Sequence, residues 1–167
     1  MAEIHPTAFI APTAVVMGNV SLGEESSIWY TAVLRGDMAK ITIGARTNIQ
    51  DGTIVHVDEG VPCTIGERVG VGHRAIIHGC TIGNDCLIGM GSILLNRCVI
   101  GAGSVVAAGA VVPEGMEVPP GSVVMGVPGR VVRQVDAELT KRIAGTWGHY
   151  VAQAKAHRAS KYPLLKA

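Results

Sequence analysis

The run Ile82-Gly-Asn-Asp-Cys-Leu-Ile88-Gly-Met-Gly-Ser-Ile-Leu94-Leu-Asn-Arg-Cys-Val-Ile100-Gly-Ala-Gly-Ser-Val-Val106 renews itself every six residues. An aliphatic residue opens each unit, and a small one, Cys86, Ser92, Cys98 or Ser104, follows four places later. Toward the C-terminus the series goes on through Val112, Val118 and Val124. Toward the N-terminus one residue is dropped, and the series resumes at Ile77, Val71 and Ile65, then Val55, Ile49 and Ile43, then Leu34, Ile28, Leu22, Val16, Ile10 and Ile4. The small partners there are Ala8, Ala14, Val20, Ser26, Ala32, Thr47, Thr53, Val69, Ala75 and Thr81, with Ala110 further on. Such a period predicts an all-β chain, a parallel β-helix of hexapeptide repeats, in which three units close one triangular coil. The aliphatic and small residues turn inward. Glycines directly after the aliphatic position (Gly23, Gly44, Gly66, Gly83, Gly89, Gly101) suit tight corners.

Composition agrees with a narrow core. The chain has 167 residues, enough for one compact unit, with 22 glycines and only 4% aromatic residues. A core of stacked aliphatic and small side chains fits those figures. The net charge of +1 points to no nucleic-acid partner and no membrane surface. Neither a basic, apolar leader nor an apolar run approaching about 18 residues is present, which predicts a cytoplasmic protein. Its four cysteines are then expected as thiols, with Cys86 and Cys98 in the core rather than on a metal.

Two steps break the period. Leu34 to Ile43 is nine residues and Val55 to Ile65 is ten. Extra residues in a solenoid are expected to loop out, and loops gathered on one face are where function sits. After Val127-Pro-Gly129 the period ends. The β-helix is assigned to residues 1–130, and residues 131–167 to a helical segment of the same domain. Asp136 is a plausible N-cap, and Leu139, Ile143, Trp147, Tyr150, Val151 and Ala154 recur at helical spacing. A C-terminal α-helix packed on the outside of the prism is expected, with Gly145 and Gly148 weakening its middle enough to allow a split into two short helices.

Three of the six histidines fall between residues 49 and 78. Let the aliphatic positions mark corners A, B and C in turn. Ile43, Ile49 and Val55 are one coil, and Ile65, Val71 and Ile77 the next. His56 follows Val55 and His78 follows Ile77, so both sit just past position C, pointing outward, one coil apart. Adjacent coils lie about 4.8 Å apart. Two stacked imidazoles at that spacing can share one zinc ion, whose bonds to nitrogen are ~2.0–2.1 Å. Arg35, after Leu34, falls in the same column. His73 follows position B by two residues and lies about 16 Å of extended chain from His78. It belongs to another face, and in a cyclic trimer the B face of one chain can meet the C column of the next. Three histidines would leave zinc an open position, the catalytic arrangement. Imidazole also suits Fe and Co.

These residues carry a resemblance. Arg35-Gly-Asp37, Asn48-Ile-Gln50-Asp51-Gly52, His56 and His73-x4-His78 followed by Gly79 resemble the motif set of the γ-class carbonic anhydrase family over the whole chain. The resemblance implies a left-handed β-helix and a homotrimer with metal sites at its subunit interfaces. Each metal would be held by His56 and His78 of one chain and His73 of its neighbour. The implied activity is reversible hydration of CO2 to bicarbonate by zinc-bound hydroxide. Gln50 matches a residue that orients the metal-bound water, and Asn48 sits beside it. Arg35 would pair with an acidic residue across the interface, for which Asp37 is a candidate.

Departures from that pattern bear on proton export. Met38 follows Asp37, where the best-studied branch has a glutamate. The loop Asp58-Glu59-Gly60-Val61-Pro62 is short, with Glu59 the position where a shuttle acid could start. Tyr150-Val151-Ala152 matches a Tyr-x-Asn at the pocket, with Ala152 in place of the Asn. Two alternatives belong with the first: an acyl-CoA thioesterase or acyltransferase of the hexapeptide-repeat superfamily, and a non-catalytic homologue that keeps the fold.

Overall fold

The computed structural model describes residues 3–164. Short parallel strands, most of two or three residues, wind a parallel β-helix of about seven coils. The register is one to one along each face. On face A, Ile43 pairs with Ile65, Ile65 with Ile82 and Ile82 with Ile100. On face B, Ile49 pairs with Val71 and Val71 with Ile88. On face C, Leu34 pairs with Val55, Val55 with Ile77 and Ile77 with Leu94. These aliphatic side chains are buried and form one continuous core with the small residues that accompany them.

The structure corrects the expected geometry in three places. First, the aliphatic residues lie in the strands, on the flat faces, and the chain turns the corner two and three residues later. Positive φ falls at that later site, on Arg68, Arg74, Gly79 and Asp85 in four successive units. The glycines directly after the aliphatic position answer to a different constraint, which is the approach of the next coil. A Cβ built on Gly83 would lie 2.7 Å from the backbone nitrogen of Ala102. Gly83→Ala should therefore cost roughly 3 kcal/mol or more, because backbone rather than a yielding side chain blocks the methyl group. Denaturant unfolding measures this; an unchanged midpoint would mean the coils can part there.

Second, the nine-residue step is not a free loop. Val33–Ile43 is one strand that crosses from face C to face A, paired along Val15–Leu22 with an irregularity between Gly18 and Val20. Only the ten-residue step makes a loop, closed by the Val61 amide on the Asp58 carbonyl at 3.0 Å. Third, the small inward residue after Ile77 is Cys80, 1% exposed, while Thr81 faces outward. The dropped residue moves the inward position back by one. All four cysteines are buried free thiols.

The last coil is capped by Arg130–Gln134, which turns back antiparallel on Ser122–Met125. One helix follows, Ala137–Arg158, the single C-terminal helix expected, unbroken at Gly145 and Gly148. Asp136 caps it as predicted, accepting from the Leu139 amide at 2.8 Å. That bond, with Arg133 beside it, holds the Asp136 carboxyl below its ordinary pKa. The two glycines cost about 1 kcal/mol each in helix propensity. Packing overrides this: Ile143 sits against Val105 and Val123, and Ala154 joins Phe9 and Trp29, so the helix is anchored on face B at both ends. Among the described residues no helix is long and apolar enough to cross a membrane.

Candidate metal centre

The expected column on face C is present: Arg35 pairs in register with His56, and His56 with His78. The two imidazoles meet edge to face, His56 Nδ1 lying 3.0 Å from His78 Nε2. Their outer nitrogens decide what this contact means. His78 Nδ1 lies 2.7 Å from Asn96 Oδ1, and Asn96 Nδ2 donates to Asp58 Oδ2 at 2.7 Å. The carboxylate fixes the amide orientation, so Asn96 Oδ1 must accept and His78 Nδ1 must donate. His56 Nε2 lies 3.2 Å from Asp37 Oδ1, again a donor facing a carboxylate. Each neutral ring then presents a lone pair to the other. Two nitrogens so placed must share a cation, either a proton that one ring donates to the other or a metal ion bound by both. Tetrahedral zinc would set its ligand nitrogens about 3.4 Å apart, a few tenths of an ångström from the separation seen. The residues fit a metal ion.

Arg35 forms an ion pair with Asp37 of its own chain. Desolvation pushes the Asp37 carboxyl up, but the hydrogen bonds from Arg35, a backbone amide and His56 prevail and hold it below its usual value.

His73 lies on the turn after face B, apart from this pair, as the position count required. Among the described residues, the three-ligand group that one chain assembles is His56, Asp58 and His78. His73 Nδ1 meets Asp51 Oδ2 at 2.9 Å, and its Nε2 lies 3.4 Å from the Tyr150 hydroxyl. Asp51 orients this ring as Asp37 and Asn96 orient the other two. A metal-ligating histidine characteristically has its outer nitrogen held in this way. Burial, with the Asp51 carboxylate close by, raises the Tyr150 pKa.

Gln50 and Asn48 share the B side. Gln50, 5% exposed, donates from Nε2 to Asn48 Oδ1 at 3.0 Å, and Asn48 Nδ2 reaches the Val69 carbonyl. With its amide so engaged, Gln50 keeps Oε1 available as an acceptor. Gln50, His73 and Tyr150 open into a cavity of about 450 Å³ between face B and the helix, lined further on by Leu87, Met90 and Val105. Glu59 is exposed on the loop and makes no side-chain hydrogen bond or ion pair among the described residues. Asp58, beside it, is the carboxylate turned to the histidines.

The candidate residues thus form two half-sites on one chain, Arg35–Asp37–His56–His78 and Asn48–Gln50–His73–Tyr150. Three residues that orient them, Asp51, Asp58 and Asn96, escaped the sequence reading. Extending the C column one coil past His78 leads to Leu95 and its neighbour Asn96, which was the available signal.

Known proteins resemble the chain in sequence and in fold. The family profile described as bacterial transferase hexapeptide (six repeats) matches residues 79–114. A hexapeptide transferase family protein from Anaplasma phagocytophilum shares the fold at a TM-score of 0.89 and 39% identity, over 93% of this chain and 92% of that one. These define a hexapeptide-repeat protein. A Methanocaldococcus jannaschii protein named "Probable carbonic anhydrase" is 54% identical over 85% of this chain and 89% of its own length. Gamma carbonic anhydrase 2, mitochondrial, of Arabidopsis thaliana is 42% identical over 92% of this chain, which spans 58% of the plant protein. The chain belongs to the γ-class carbonic anhydrase family, and membership implies a metal cofactor.

Proposed function

We propose that the chain is a metal-dependent carbonate dehydratase that hydrates CO2 reversibly to bicarbonate, working as a cyclic homotrimer. The observation that carries this is the set of three histidines with oriented outer nitrogens, two of them facing each other with lone pairs. His56 and His78 of one chain and His73 of the next would hold zinc, with Fe or Co as other ions that imidazole suits. When bound, the ion supplies Lewis acidity that makes water nucleophilic at neutral pH.

The chain's own residues do the rest. Asp37, Asn96 and Asp51 accept from the outer nitrogens, which orients each ring and fixes the tautomer that turns its other nitrogen toward the ion. Gln50 Oε1 accepts from the attacking water or the hydroxyl of bicarbonate, and Asn48 fixes the Gln50 amide so that this acceptor stays aimed. Arg35 holds Asp37 in place against His56. Asn48 and Gln50 are buried beneath the helix side of face B, while His73 and Asp51 stay open to solvent.

Support for the trimer comes from the outer surface of face C. Its outward positions are Val15, Val33, Ile54, Ile76, Ile93 and Val111, an unbroken apolar column, with Val15 47% and Ile76 39% exposed. Face A at the matching positions is mostly polar, carrying Ser21, Thr42, Thr64, Thr81 and Glu117 with Val99 the one apolar residue among them. An apolar column beside the His56–His78 pair is suited to meeting a second copy.

Metal analysis together with stopped-flow CO2 hydration, on protein purified without oxygen, tests the proposal. One metal per chain and measurable hydration are expected; metal-free trimers with no hydration would overturn it. The cavity beside His73 favours a second reading. Its apolar lining could take the acyl chain of a CoA thioester, and hydrolysis of such esters without CO2 hydration would select that activity.

Proton export should limit the rate. Neither Met38 nor the unpartnered Glu59 builds a relay to the histidines, so a small imidazole-type buffer should raise turnover several-fold. A fast rate insensitive to buffer would place the relay on Glu59 itself or on His149, which is exposed on the helix.

A further inference from the structure

We propose that Asp58 is a metal ligand supplied by the same chain, so that a single chain holds a divalent cation on His56, Asp58 and His78 without a neighbour's histidine. The assignment rests on His56 and His78 being ligands, as proposed above, and goes beyond it in the third donor.

The geometry turns on Asn96. Its Oδ1 fixes His78 and its Nδ2 fixes Asp58, each at 2.7 Å. One amide therefore clamps two potential ligands and leaves the other atom of each, His78 Nε2 and Asp58 Oδ1, turned toward the other at 3.9 Å. His56 Nδ1 stands beside His78 Nε2, and one potential donor atom from each of His56, Asp58 and His78 lies within 4.8 Å of the other two.

The loop bearing Asp58 is anchored for this purpose. Val57 is fully buried on one side and Val61 is 6% exposed on the other. Asp58 and Val61 are bridged through the backbone. Gly79 makes room for the clamp: a Cβ there would collide with Asn96 Oδ1 and lie 2.7 Å from Val61 Cγ1. The residue after His78 is thus glycine where the Asn96 amide and the loop must close over it.

The chemistry suits the task. Two imidazoles and one carboxylate on one side of an ion, with open positions opposite, bind Fe(II), Co(II) or Zn(II). Asp58 is half exposed, so its carboxylate stays solvated when no ion is present and costs little to keep there. The carboxylate also brings the negative charge that a cation on two neutral rings would otherwise lack. A chain could then take up its ion before assembly, and the His73 of a neighbour would join or displace Asp58 afterwards.

The test uses full-length His73→Ala protein, stripped with a chelator and titrated with Co(II), read by visible absorption and by chelator competition. It should bind one Co(II) per chain. Adding Asp58→Ala should weaken that binding by about tenfold or more, and Asp58→Asn, which keeps a side chain of the same shape in the loop, should do the same. Asn96→Ala in the same background should cost about 10- to 100-fold, the usual effect of removing a residue that orients a ligand. Far-UV circular dichroism verifies that each variant keeps its coils. The proposal is overturned if His73→Ala binds no Co(II) while the unaltered chain does, if both Asp58 variants bind as tightly as His73→Ala alone, or if they leave the visible Co(II) spectrum unchanged and weaken binding no further than Asn96→Ala does, the result expected when Asp58 only fixes the Asn96 amide. Failure of the parent assignment looks different: the unaltered chain would bind no Co(II), or His78→Ala would bind it undiminished.

Discussion

His78→Ala should strip the metal from this protein while the coils stay folded. Two features make these effects separable. The imidazole points outward and is 27% exposed, so its removal opens no interior cavity. The residue that holds the coil together at this point is Ile77, fully buried between Val55 and Leu94. Unfolding free energy should shift by about 1 kcal/mol at most, the worth of the lost bond to Asn96. Metal affinity should fall by well over tenfold, more than the loss of an orienting residue would bring, and hydration should fall with it. The measurement is metal content by elemental analysis on intact oligomers. Full occupancy in the variant would remove His78 from the centre, and with it the meaning given to the facing lone pairs.

Much of this was legible because two periods run through the chain at once. Aliphatic residues at every sixth position name the coil, and counting in threes names the face. That count placed His56 under His78, Arg35 in their column and His73 elsewhere, and the register agrees at each of the three. What escaped it lies off the period. Asp51, Asp58 and Asn96 sit on turns, where side-chain direction follows local φ and ψ rather than the repeat. The corners themselves were misplaced by two residues for a related reason: the flat part of the unit carries the aliphatic residue, and the sequence marks the aliphatic residue most plainly. Thr81 was taken as inward because the dropped residue before Ile82 shifts the small position to Cys80. The single helix defied Gly145 and Gly148 because its burial against face B outweighs their propensity, a tertiary effect that no local pattern displays.

The chain also divides its candidate residues in a way that can be tested by mixing. His56 and His78 share face C with Arg35 and Asp37, while His73 shares the B side with Gln50, Asn48 and Tyr150. If a working site joins the C half of one chain to the B half of the next, two inactive variants can repair each other. His73→Ala keeps a sound C half, and His56→Ala keeps a sound B half. Refolded together in equal amounts, they assemble at random into cyclic trimers. A sound site forms wherever a His73→Ala chain is followed by a His56→Ala chain, one half times one half, so ~25% of sites should regain hydration activity. His56→Ala mixed with His78→Ala should regain none, because each of those chains spoils its own C half and no neighbour can supply another. Activity is the readout, since Asp58 can keep an ion on a His73→Ala chain that does no chemistry. Mass measurement must show that the trimers are mixed. In mixed trimers, no recovery from the first pair would mean that all three histidines act within one chain. His73 would then have to leave Asp51 and Tyr150 and cross from the turn after face B to the C column, a rearrangement of the coil itself.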